Sequence, residues 1–481
     1  VNNKNDNPRI FLKSILKPLK GLEAVFEYTF DKNIYDYHWY TGQYDYTTIQ
    51  GGSSKSFVDD YLRKYKQHTN YNSINVYATY NKDFGNHHFK VMAGFNQESS
   101  YQETLDTYSY NQAVLDVPAM SSGTGTIKAT DSYSEYAIRG GFFRVNYNYL
   151  DKYLLEVNGR YDGSSKFPKS SRFGFFPSVS AGWQIAQERF MNSTRHWLDG
   201  LKLRASYGVI GNQNINPYTF TPSMSVNNKA TSWIIDDTYV TSISSLPALV
   251  SQNFTWEKVG TINVGLDVNL FNNRLSGVFE WYQRNTNGML APGVQLPAVV
   301  GASAPYQNTA DMRTRGWELS LNWRDQIGKV GYRIGFNLSD YKSEIIKYDD
   351  NAATKLLSSY YPGQTLGEIW GYVVDGYYTV DDFVDTSSWQ LKEGVTSING
   401  YNVRPGDVKF KNLRDDDTST NVITSGDNTF DNPGDRKVIG NTTPRYQYGI
   451  NLGMNYAGFD LNVILQGTGT VSYTHLTLPT T

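Results

Sequence analysis

Apolar and polar residues alternate along most of this chain, and this alternation constrains the fold more than any other feature. From Leu22 to Phe30 every second residue is apolar or aromatic, and Glu23, Glu27 and Thr29 stand between them. Side chains of a β-strand point to opposite faces in turn, so the pattern predicts a strand. The same alternation recurs in residues 9–16, 74–80, 89–95, 143–149, 153–161, 178–185, 201–209, 262–270, 275–282, 317–323, 332–338, 448–456 and 459–465. We therefore expect about fourteen strands in an all-β fold.

The connections between these strands alternate in length. Tight turns are expected at residues 85–88, 150–152, 271–274, 325–329 and 457–458. Long polar segments are expected at residues 31–72, 96–136, 210–255, 284–314 and 342–445, and one connection on that side, residues 163–172, is short. A soluble sandwich or propeller has no reason to collect short turns at one end and long loops at the other. Outer-membrane β-barrels do so, with short periplasmic turns and long extracellular loops, and we predict an antiparallel transmembrane barrel.

Composition excludes several other classes. No stretch approaches the roughly 18 consecutive apolar residues of a membrane-spanning helix, whereas barrel strands need apolar residues only at alternate positions. The formal net charge of −2 argues against a nucleic-acid partner. The chain has no cysteine, which excludes disulfides and thiolate metal sites. Helical periodicity is confined to a turn or two around Ala186–Leu198.

Several ordered blocks resemble the SusC/RagA family of TonB-dependent outer-membrane receptors. The blocks are Phe143–Phe167, Phe175–Trp183, Leu203–Gln213, Phe271–Gly277, Arg315–Trp323, Arg404–Phe410, Asp435–Asn441 and Tyr448–Tyr456. The resemblance implies a barrel of about 22 strands that is filled by an N-terminal plug. Residues 1–470 would then be a partial barrel domain, without the plug, the TonB-contacting segment and the closing strand. Residues 471–481 resemble one reading frame of a sequencing adapter, and we interpret them as read-through rather than natural sequence.

The resemblance also implies a function and partners. Family members lie in the cell outer membrane, contact its lipid, and import oligosaccharides or peptides with energy from the TonB complex. They pair with a SusD-like surface lipoprotein that captures the ligand. No catalysis and no cofactor are expected. A passive porin or adhesin would share the alternation and the loop asymmetry, and an outer-membrane barrel enzyme is a further alternative.

Aromatic residues in the long loops are the candidates for ligand binding. Tyr35 and Tyr37 add to the aromatic content of the first long loop. Flat rings with polar tips can stack on sugars or on peptide side chains while they donate hydrogen bonds. The alternative is that the rings form an interfacial girdle or pack the loops. The predicted substrate-binding residues are Trp39, Tyr40, Tyr44, Tyr46, Trp370, Tyr372, Tyr377 and Tyr378.

Metal and nucleophile chemistry has weaker candidates. Asp415, Asp416 and Asp417 follow Arg404–Phe410, where family members carry an acidic run resembling a calcium loop, but the glycine of such loops is absent here. A solvated acidic loop is the preferred interpretation. The pair His87 and His88 is expected to decorate a turn, because adjacent strand residues diverge. The segment Gly51–Ser56 lacks the spacing of a phosphate-binding loop, and no catalytic triad motif is present.

Overall fold

The computed structural model divides the chain into two compact units. The first unit holds residues 1–148, 156–177 and 213–220, and the second holds residues 149–155, 178–212 and 221–481. The described residues are 2–42, 44–47, 54–57, 60–223, 226–227, 234–235, 238–239, 243–244, 247–251, 254–293, 296–302, 304–348, 360–414, 421–429 and 431–470.

Fifteen strands of the described residues belong to the main sheet, where the alternation predicted about fourteen. They are β1 (Asn2–Asp6), β2 (Arg9–Leu19), β3 (Leu22–Thr41), β4 (Tyr61–Phe84), β5 (His87–Tyr110), β6 (Ile127–Tyr149), β7 (Tyr153–Ser164), β8 (Phe173–Gln184), β9 (Leu198–Asn212), β10 (Glu257–Leu270), β11 (Leu275–Pro292), β12 (Tyr306–Ile327), β13 (Val330–Tyr348), β14 (Arg445–Tyr456) and β15 (Phe459–Gly469).

Short strands occur in the long connections. They are Tyr44–Thr47, Ser54–Phe57, Val226–Asn227, Ile234–Ile235, Thr238–Tyr239, Ile243–Ser244, Glu368–Tyr372, Val374–Tyr377, Ser397–Ile398, Val408–Phe410, Val422–Ile423 and Arg436–Asn441. The helices of the described residues are short 3₁₀ helices: Met120–Ser122, Lys169–Ser171, Ile185–Gln187, Arg189–Thr194, Ala298–Val300 and Val380–Asp382. Two of these confirm the helical turns expected around Ala186–Leu198. None of the helices in the described ranges has the length and apolarity needed to cross a membrane.

The first unit begins with two strands that share one neighbour. Strand β1 pairs antiparallel with the far half of β3, and β2 pairs antiparallel with its near half. The break between them falls at Pro8, which has no backbone N–H to donate, while its carbonyl oxygen accepts a 3.0 Å hydrogen bond from Lys32 N. From there the order is β3-β4-β5-β6-β7-β8. The alternation missed β1 because Asn2–Asp6 contains no apolar residue.

In the second unit the strand order runs from the C-terminal half of β8 through β9, β10, β11, β12, β13 and β14 to β15. The pairings from β9 to β15 are antiparallel. The predicted turn at residues 271–274 is confirmed, with Phe271, Asn272 and Asn273 all near φ of +58°. Asparagine tolerates this left-handed backbone better than most residues. The two-residue turn Ala457-Gly458 also has positive φ at both positions.

The two faces of the sheet differ in polarity, as the alternation predicts. In the second unit Val264, Phe279 and Leu321 lie on one face of adjacent strands, with 37–44 % of their surface exposed. The opposite face carries Arg204, whose Nε donates to Asp267 Oδ1 at 3.1 Å. Large exposed apolar side chains on one face and paired charges on the other are typical of strands between lipid and a polar lumen.

Several predicted loop boundaries were wrong. Residues 31–72 were expected as loop, yet β3 runs to Thr41 and β4 begins at Tyr61. Beyond Asp31 most side chains on both faces are polar or aromatic, so the apolar alternation ends although the backbone ladder continues, as in the pair Asn33 and Thr69. The same extension shortens the other long connections to residues 111–126, 213–256, 293–305 and 349–444.

Candidate functional site

A group of aromatic and charged residues lies on the polar face at the loop end of β3, β4 and β5, in the first unit. The strand register places Tyr37 opposite Tyr65, Arg63 opposite Tyr108, and Tyr65 opposite Asp106. Paired residues of neighbouring strands point to the same face, so all five share one surface. We call Tyr37, Arg63, Tyr65, Asp106 and Tyr108 the Arg63 cluster.

The charge of Arg63 is neutralised inside this cluster. Its Nε donates to Asp106 Oδ1 at 2.9 Å, and its Nη2 donates to Asp106 Oδ2 at 2.8 Å, which is a bidentate pair. The guanidinium carbon also lies 5.8, 5.6 and 5.2 Å from the ring centroids of Tyr37, Tyr65 and Tyr108. These distances are in the range of cation–π attraction. The guanidinium therefore holds three rings in place.

More rings extend the same surface. Trp39 stacks on Tyr37 with centroids 6.2 Å apart, and its Nε1 donates a hydrogen bond to Thr41 Oγ1. Tyr35 meets Tyr65 edge-on at 5.9 Å. On the other side, the Tyr61 ring lies 5.7 Å from that of Tyr108. The result is a continuous aromatic surface with half-exposed rings.

The structure separates the other predicted residues of the first long loop from Trp39. Tyr40 is paired with Leu62, on the opposite face of the strands from Trp39. Tyr44 and Tyr46 lie on a short hairpin strand, Tyr44–Thr47, with 55 % and 44 % of their surface exposed. Of this predicted group, only Trp39 contacts the Arg63 cluster, through its stack on Tyr37. Arg63, Tyr65, Asp106 and Tyr108 themselves were missed, although their spacing of two was present in the sequence.

The second predicted aromatic group belongs to the long connection of residues 349–444, here called the large loop. Trp370 and Tyr372 lie on the short strand Glu368–Tyr372, which pairs antiparallel with Arg436–Asn441. The Tyr372 ring packs against Phe410 at a centroid distance of 5.3 Å. The loop is thus folded by its own strand pairs and ring contacts.

Adjacent Tyr377 and Tyr378 have opposite environments in the large loop. Tyr377 is 65 % exposed, whereas Tyr378 is 1 % exposed and forms a small core with Phe383 and Val403. The Tyr378 hydroxyl donates to the backbone oxygen of Thr396 at 2.6 Å. In this structure Tyr378 packs the loop, and Tyr377 is the ring that a ligand can reach.

Asp435 organises the large loop, although no role was predicted for it from the sequence. Its carboxylate is fully buried. Oδ1 accepts backbone hydrogen bonds from Leu413 N at 2.7 Å and Arg414 N at 3.2 Å, and Oδ2 accepts one from Thr424 N at 2.8 Å. The side chain therefore joins the two ends of the segment that contains the predicted acidic run. Asp415, Asp416 and Asp417 themselves lie outside the described residues.

Two further carboxylates of the large loop accept backbone hydrogen bonds. Asp382 Oδ2 accepts from Thr379 N at 2.7 Å, which, together with the Lys409 ammonium, lowers the pKa of Asp382. Hydrogen bonds from Ser388 and Ser387 lower the pKa of Asp385 well below its usual range. Both groups are ionised near neutral pH and stabilise turns, which is a structural role and not that of a general acid.

The histidine pair lies at the β4–β5 turn and its side chains diverge, as expected. His87 Nδ1 is 2.9 Å from the hydroxyl of Tyr147, and His88 Nδ1 is 2.8 Å from Asp83 Oδ1. Within the part of the chain that the structure describes, no three His, Cys, Asp or Glu side chains are grouped so that they could hold a metal ion. Of the segment Gly51–Ser56, only Ser54–Ser56 is described, and it is part of a strand.

A cavity of about 750 Å³ lies at the turn end of the second unit. Its polar lining includes Asn269, Asn322, Arg333 and Asn451, from strands β10, β12, β13 and β14. Arg333 reaches across Gly453 to donate to Asn462 Oδ1, and a Cβ at Gly453 would lie 2.3 Å from Arg333 Nε. Arg274 and Arg324 also line the cavity, so amides and guanidinium groups together can hydrogen-bond a polar surface there.

Comparison with known proteins identifies relatives along almost the whole chain. The family model described as TonB dependent receptor-like, beta-barrel matches residues 5–478. TonB-dependent receptor P3 of Formosa agariphila is 29 % identical over 460 residues, which cover 91 % of this chain and 42 % of that receptor. TonB-dependent receptor SusC of Bacteroides thetaiotaomicron is 32 % identical over 283 residues, or 57 % of this chain and 27 % of SusC. The chain thus spans less than half the length of these relatives.

Solved structures share the fold. The RagAB peptide importer in its open-open state superposes with a TM-score of 0.75 at 20 % identity, covering 98 % of this chain and 47 % of that chain. The closed-closed state gives a TM-score of 0.74 at the same identity. At this identity the likeness is one of fold.

Proposed function

Because this chain belongs to the TonB-dependent receptor-like β-barrel family, we propose that it forms the barrel wall of an importer that takes up oligosaccharides or peptides with energy from TonB. The observation that carries the proposal is the family match across residues 5–478. The protein belongs to the cell outer membrane, and its family consists of receptors and not of enzymes. The strand order and the alternation of faces support the same function.

We propose that the two ends of the strands have different roles. Half-exposed rings of the Arg63 cluster, with Trp39, are proposed to contact the ligand from the polar face. The cavity at the turn end of the second unit is proposed to contact the plug that the resemblance implies. No bond of the ligand is broken in this function. The energy for transport comes from TonB, which changes the conformation of the plug.

A SusD-like surface lipoprotein is the proposed partner. The support for this partner is the resemblance to the SusC/RagA family, to which the 32 % identity with SusC over 283 residues adds. We assign docking to the large loop, because this loop carries its own core and exposes Tyr377, Val384 and Tyr401 at 59–74 % of their surface. Exposed aromatic and apolar side chains on an ordered loop are the type of surface that protein partners bind.

Loop replacement tests the proposed role of the large loop. Residues 374–410 would be replaced by a Gly/Ser linker in cells that produce the protein, and the loop of residues 111–126 would be replaced in a matched control. We expect the first change to abolish co-purification of the surface lipoprotein and to reduce ligand uptake, and the control to retain the lipoprotein. If the 374–410 replacement left both lipoprotein association and uptake unchanged, the proposed role of the large loop would be wrong.

A passive porin or adhesin is the second candidate. It would share the sheet and the loop asymmetry, but it would need no energy from the inner membrane. Membership in the TonB-dependent family favours the importer over this alternative and over a barrel enzyme. Uptake measured with and without a proton gradient separates the importer from the passive barrel.

A further inference from the structure

We propose that the apolar face of the second unit binds a phosphate-bearing lipid of the outer leaflet, and that Arg315 of β12 and Lys342 of β13 hold the phosphate. The proposal goes beyond the import function and does not depend on it. It requires only that the apolar face meets the membrane and that the loop end of the strands is extracellular, as in outer-membrane barrels generally. The change from apolar to charged side chains along this face carries the argument.

The apolar face ends at a row that contains two tryptophans. The register pairs Val264 with Trp281, and Trp281 with Trp317, on three neighbouring strands. Aromatic rows of this kind lie at the boundary between hydrocarbon and headgroups in transmembrane barrels. The next residues of the same face toward the loops stand two positions further along each strand. They are Ile262, Gln283, Arg315 and Lys342.

The height of Arg315 fits the headgroup region. Arg315 and Ile327 lie on the same face of β12, twelve residues apart, and Ile327 is 70 % exposed at the turn. A barrel strand rises about 3.4 Å per residue and tilts by about 40°, so the two residues are about 30 Å apart along the membrane normal. The hydrocarbon core has about this thickness. With Ile327 at one boundary of the core, Arg315 therefore lies at the other.

Arg315 and Lys342 stand directly opposite each other in the β12–β13 ladder. Like charges in this position repel and destabilise a sheet. Both residues are exposed, and Arg315 Nε donates to the neutral Gln283 Oε1 at 2.7 Å. In the part of the chain that the structure describes, neither cation forms an ion pair with a carboxylate. An anion between the two would stabilise both.

The nearest carboxylates of this face are neutralised by other arginines. Asp340 and Glu344 stand two positions to either side of Lys342. Arg445 donates to both oxygens of Asp340, and Arg313 Nη2 donates to Glu344 Oε2 at 3.0 Å. An incoming anion therefore has to displace neither carboxylate.

The other charges near this level do not cancel the two cations. Lys258 of β10 lies on the same face, closer to the loops, and adds a positive charge. Asp311 Oδ1, further along β12, accepts a hydrogen bond from Gly288 N at 2.7 Å. Glu280 and Glu318 are paired with each other on the opposite face of the sheet. The lipid-facing side is thus positively charged just above the tryptophan row.

A phosphorylated lipid matches both halves of this surface. Its phosphate oxygens can accept hydrogen bonds from the guanidinium of Arg315 and the ammonium of Lys342 at the same time. Its acyl chains can lie over Trp317 and Leu319, which follow on the same face. A free phosphate would use only the charges. An acidic protein segment would have to reach the membrane boundary and would leave the apolar part uncovered.

The first test is native mass spectrometry of the detergent-purified protein. The probes are dioleoylphosphatidic acid, dioleoylglycerol, which has the same chains and no phosphate, and inorganic phosphate. We expect phosphatidic acid to bind at least about tenfold more tightly than dioleoylglycerol, and inorganic phosphate not to be retained. Arg315→Gln and Lys342→Gln should each weaken binding of phosphatidic acid about tenfold.

Arg284→Gln is the matched control. Arg284 is exposed at the same level of the neighbouring strand β11, but it lies on the opposite face, paired with Thr314. This variant should change binding of phosphatidic acid less than about twofold. Equal binding of the two lipids, or an equal loss in Arg284→Gln and Arg315→Gln, would overturn the proposed site. Retention of inorganic phosphate with the same dependence on Arg315 would identify a free anion as the ligand and contradict the lipid.

The second test separates lipid binding from a structural role. Arg315→Gln removes the repulsion from Lys342, so it should not lower the melting temperature in lipid-free detergent. Phosphatidic acid should raise the melting temperature of the unaltered protein more than that of the variant. A lower melting temperature of the lipid-free variant, with an unchanged response to the lipid, would contradict the proposal. Energised uptake is measured separately, so failure of the lipid site would leave the import function intact.

Discussion

Gly94 illustrates how single residues set the spacing of the strands. It lies in β5 opposite Tyr77 of β4. A Cβ at this position would be 2.5 Å from Phe142 Cζ, 2.6 Å from Tyr77 Cβ and 2.8 Å from the backbone oxygen of Val76. A backbone oxygen in a hydrogen-bonded ladder cannot move aside as the end of a flexible side chain can. Glycine is required here by the close approach of its neighbours.

Gly94→Ala should therefore destabilise the sheet. We expect a loss of about 1–3 kcal/mol, the usual cost of overpacking, visible as a lower melting temperature in detergent. Gly141→Ala is the matched control on β6, because its nearest neighbour would be 3.9 Å away, an ordinary contact. Equal melting temperatures for the two variants would show that the neighbours of Gly94 adjust without cost.

Asp435 makes a second residue-level prediction. Asp435→Ala removes the carboxylate that accepts from the backbone N–H groups of Leu413 and Thr424, while Arg414 N keeps its 3.2 Å hydrogen bond to Asn412 Oδ1. A lost hydrogen bond to a charged group costs about 1–3 kcal/mol. We expect faster cleavage of the large loop in limited proteolysis, and a smaller effect for Asp435→Asn, which keeps one acceptor oxygen. Exposed Asp431→Ala is the control. Unchanged cleavage of Asp435→Ala would mean that the carboxylate does not hold the loop.

Individual residue roles were the least predictable part. Tyr377 and Tyr378 have the same chemistry and adjacent positions, yet one is exposed and the other is the centre of a core. An irregular loop has no fixed period that would assign faces from the sequence. In contrast, Arg63 and Tyr65 obey the period of two, and the cluster was missed because their strand was assigned to a loop.

At the scale of elements, apolar alternation predicted where strands exist and failed to predict where they end. Apolar alternation marks only the part of a strand that has one apolar face. The ladder of backbone hydrogen bonds continues beyond that part wherever two polar strands stay aligned. Strands β3 and β4 remain paired through Thr41 and Tyr61 for this reason. The Arg63 cluster lies in this extension, so the error in strand length also hid the candidate site.

The large loop is an element with its own pH response. Hydrogen bonds to Asp382 lower its pKa in the folded loop below the value of the unfolded chain. Its contribution to stability is therefore complete above the ordinary aspartate pKa of about 4, and it is lost as the pH falls through the lower folded value. We expect hydrogen-exchange protection around Tyr378 and Phe383, corrected for intrinsic rates, to decrease below about pH 4.

Substitution identifies the group responsible. Asp382→Asn should lower protection at neutral pH and weaken its dependence on acid, whereas the neighbouring, exposed Asp381→Asn should behave like the unaltered chain. The same acid dependence in Asp382→Asn as in the unaltered chain would assign the response to another group.

At the scale of the whole molecule, the two faces of the strands make a direct prediction. Adjacent Ser320 and Leu321 of β12 point to opposite faces, and Leu321 is 37 % exposed on the apolar face. The chain has no cysteine, so a single cysteine can be placed at each position and spin-labelled without interference. In lipid vesicles a label on Leu321→Cys should collide with oxygen, and a label on Ser320→Cys with a water-soluble nickel chelate. Equal access of the chelate to both would contradict a lipid-facing surface.

Fold class and the alternation of short and long connections were accessible from the sequence, because both depend on a simple period and on where it is interrupted. The short turn at residues 150–152 and the long connection at 349–444 are clear examples. The binding surface was not accessible, because it depends on which residues of distant strands face each other. Arg63 and Asp106 are 43 positions apart, and only the register shows that they pair.

Energised uptake is the measurement that tests the central claim most directly. Cells producing the protein would be given a labelled oligosaccharide that binds it, with and without a protonophore that collapses the inner-membrane gradient. A TonB-driven importer predicts accumulation that stops when the gradient is lost, while surface binding persists. Accumulation that continues at the same rate without the gradient would contradict the importer and identify a passive barrel.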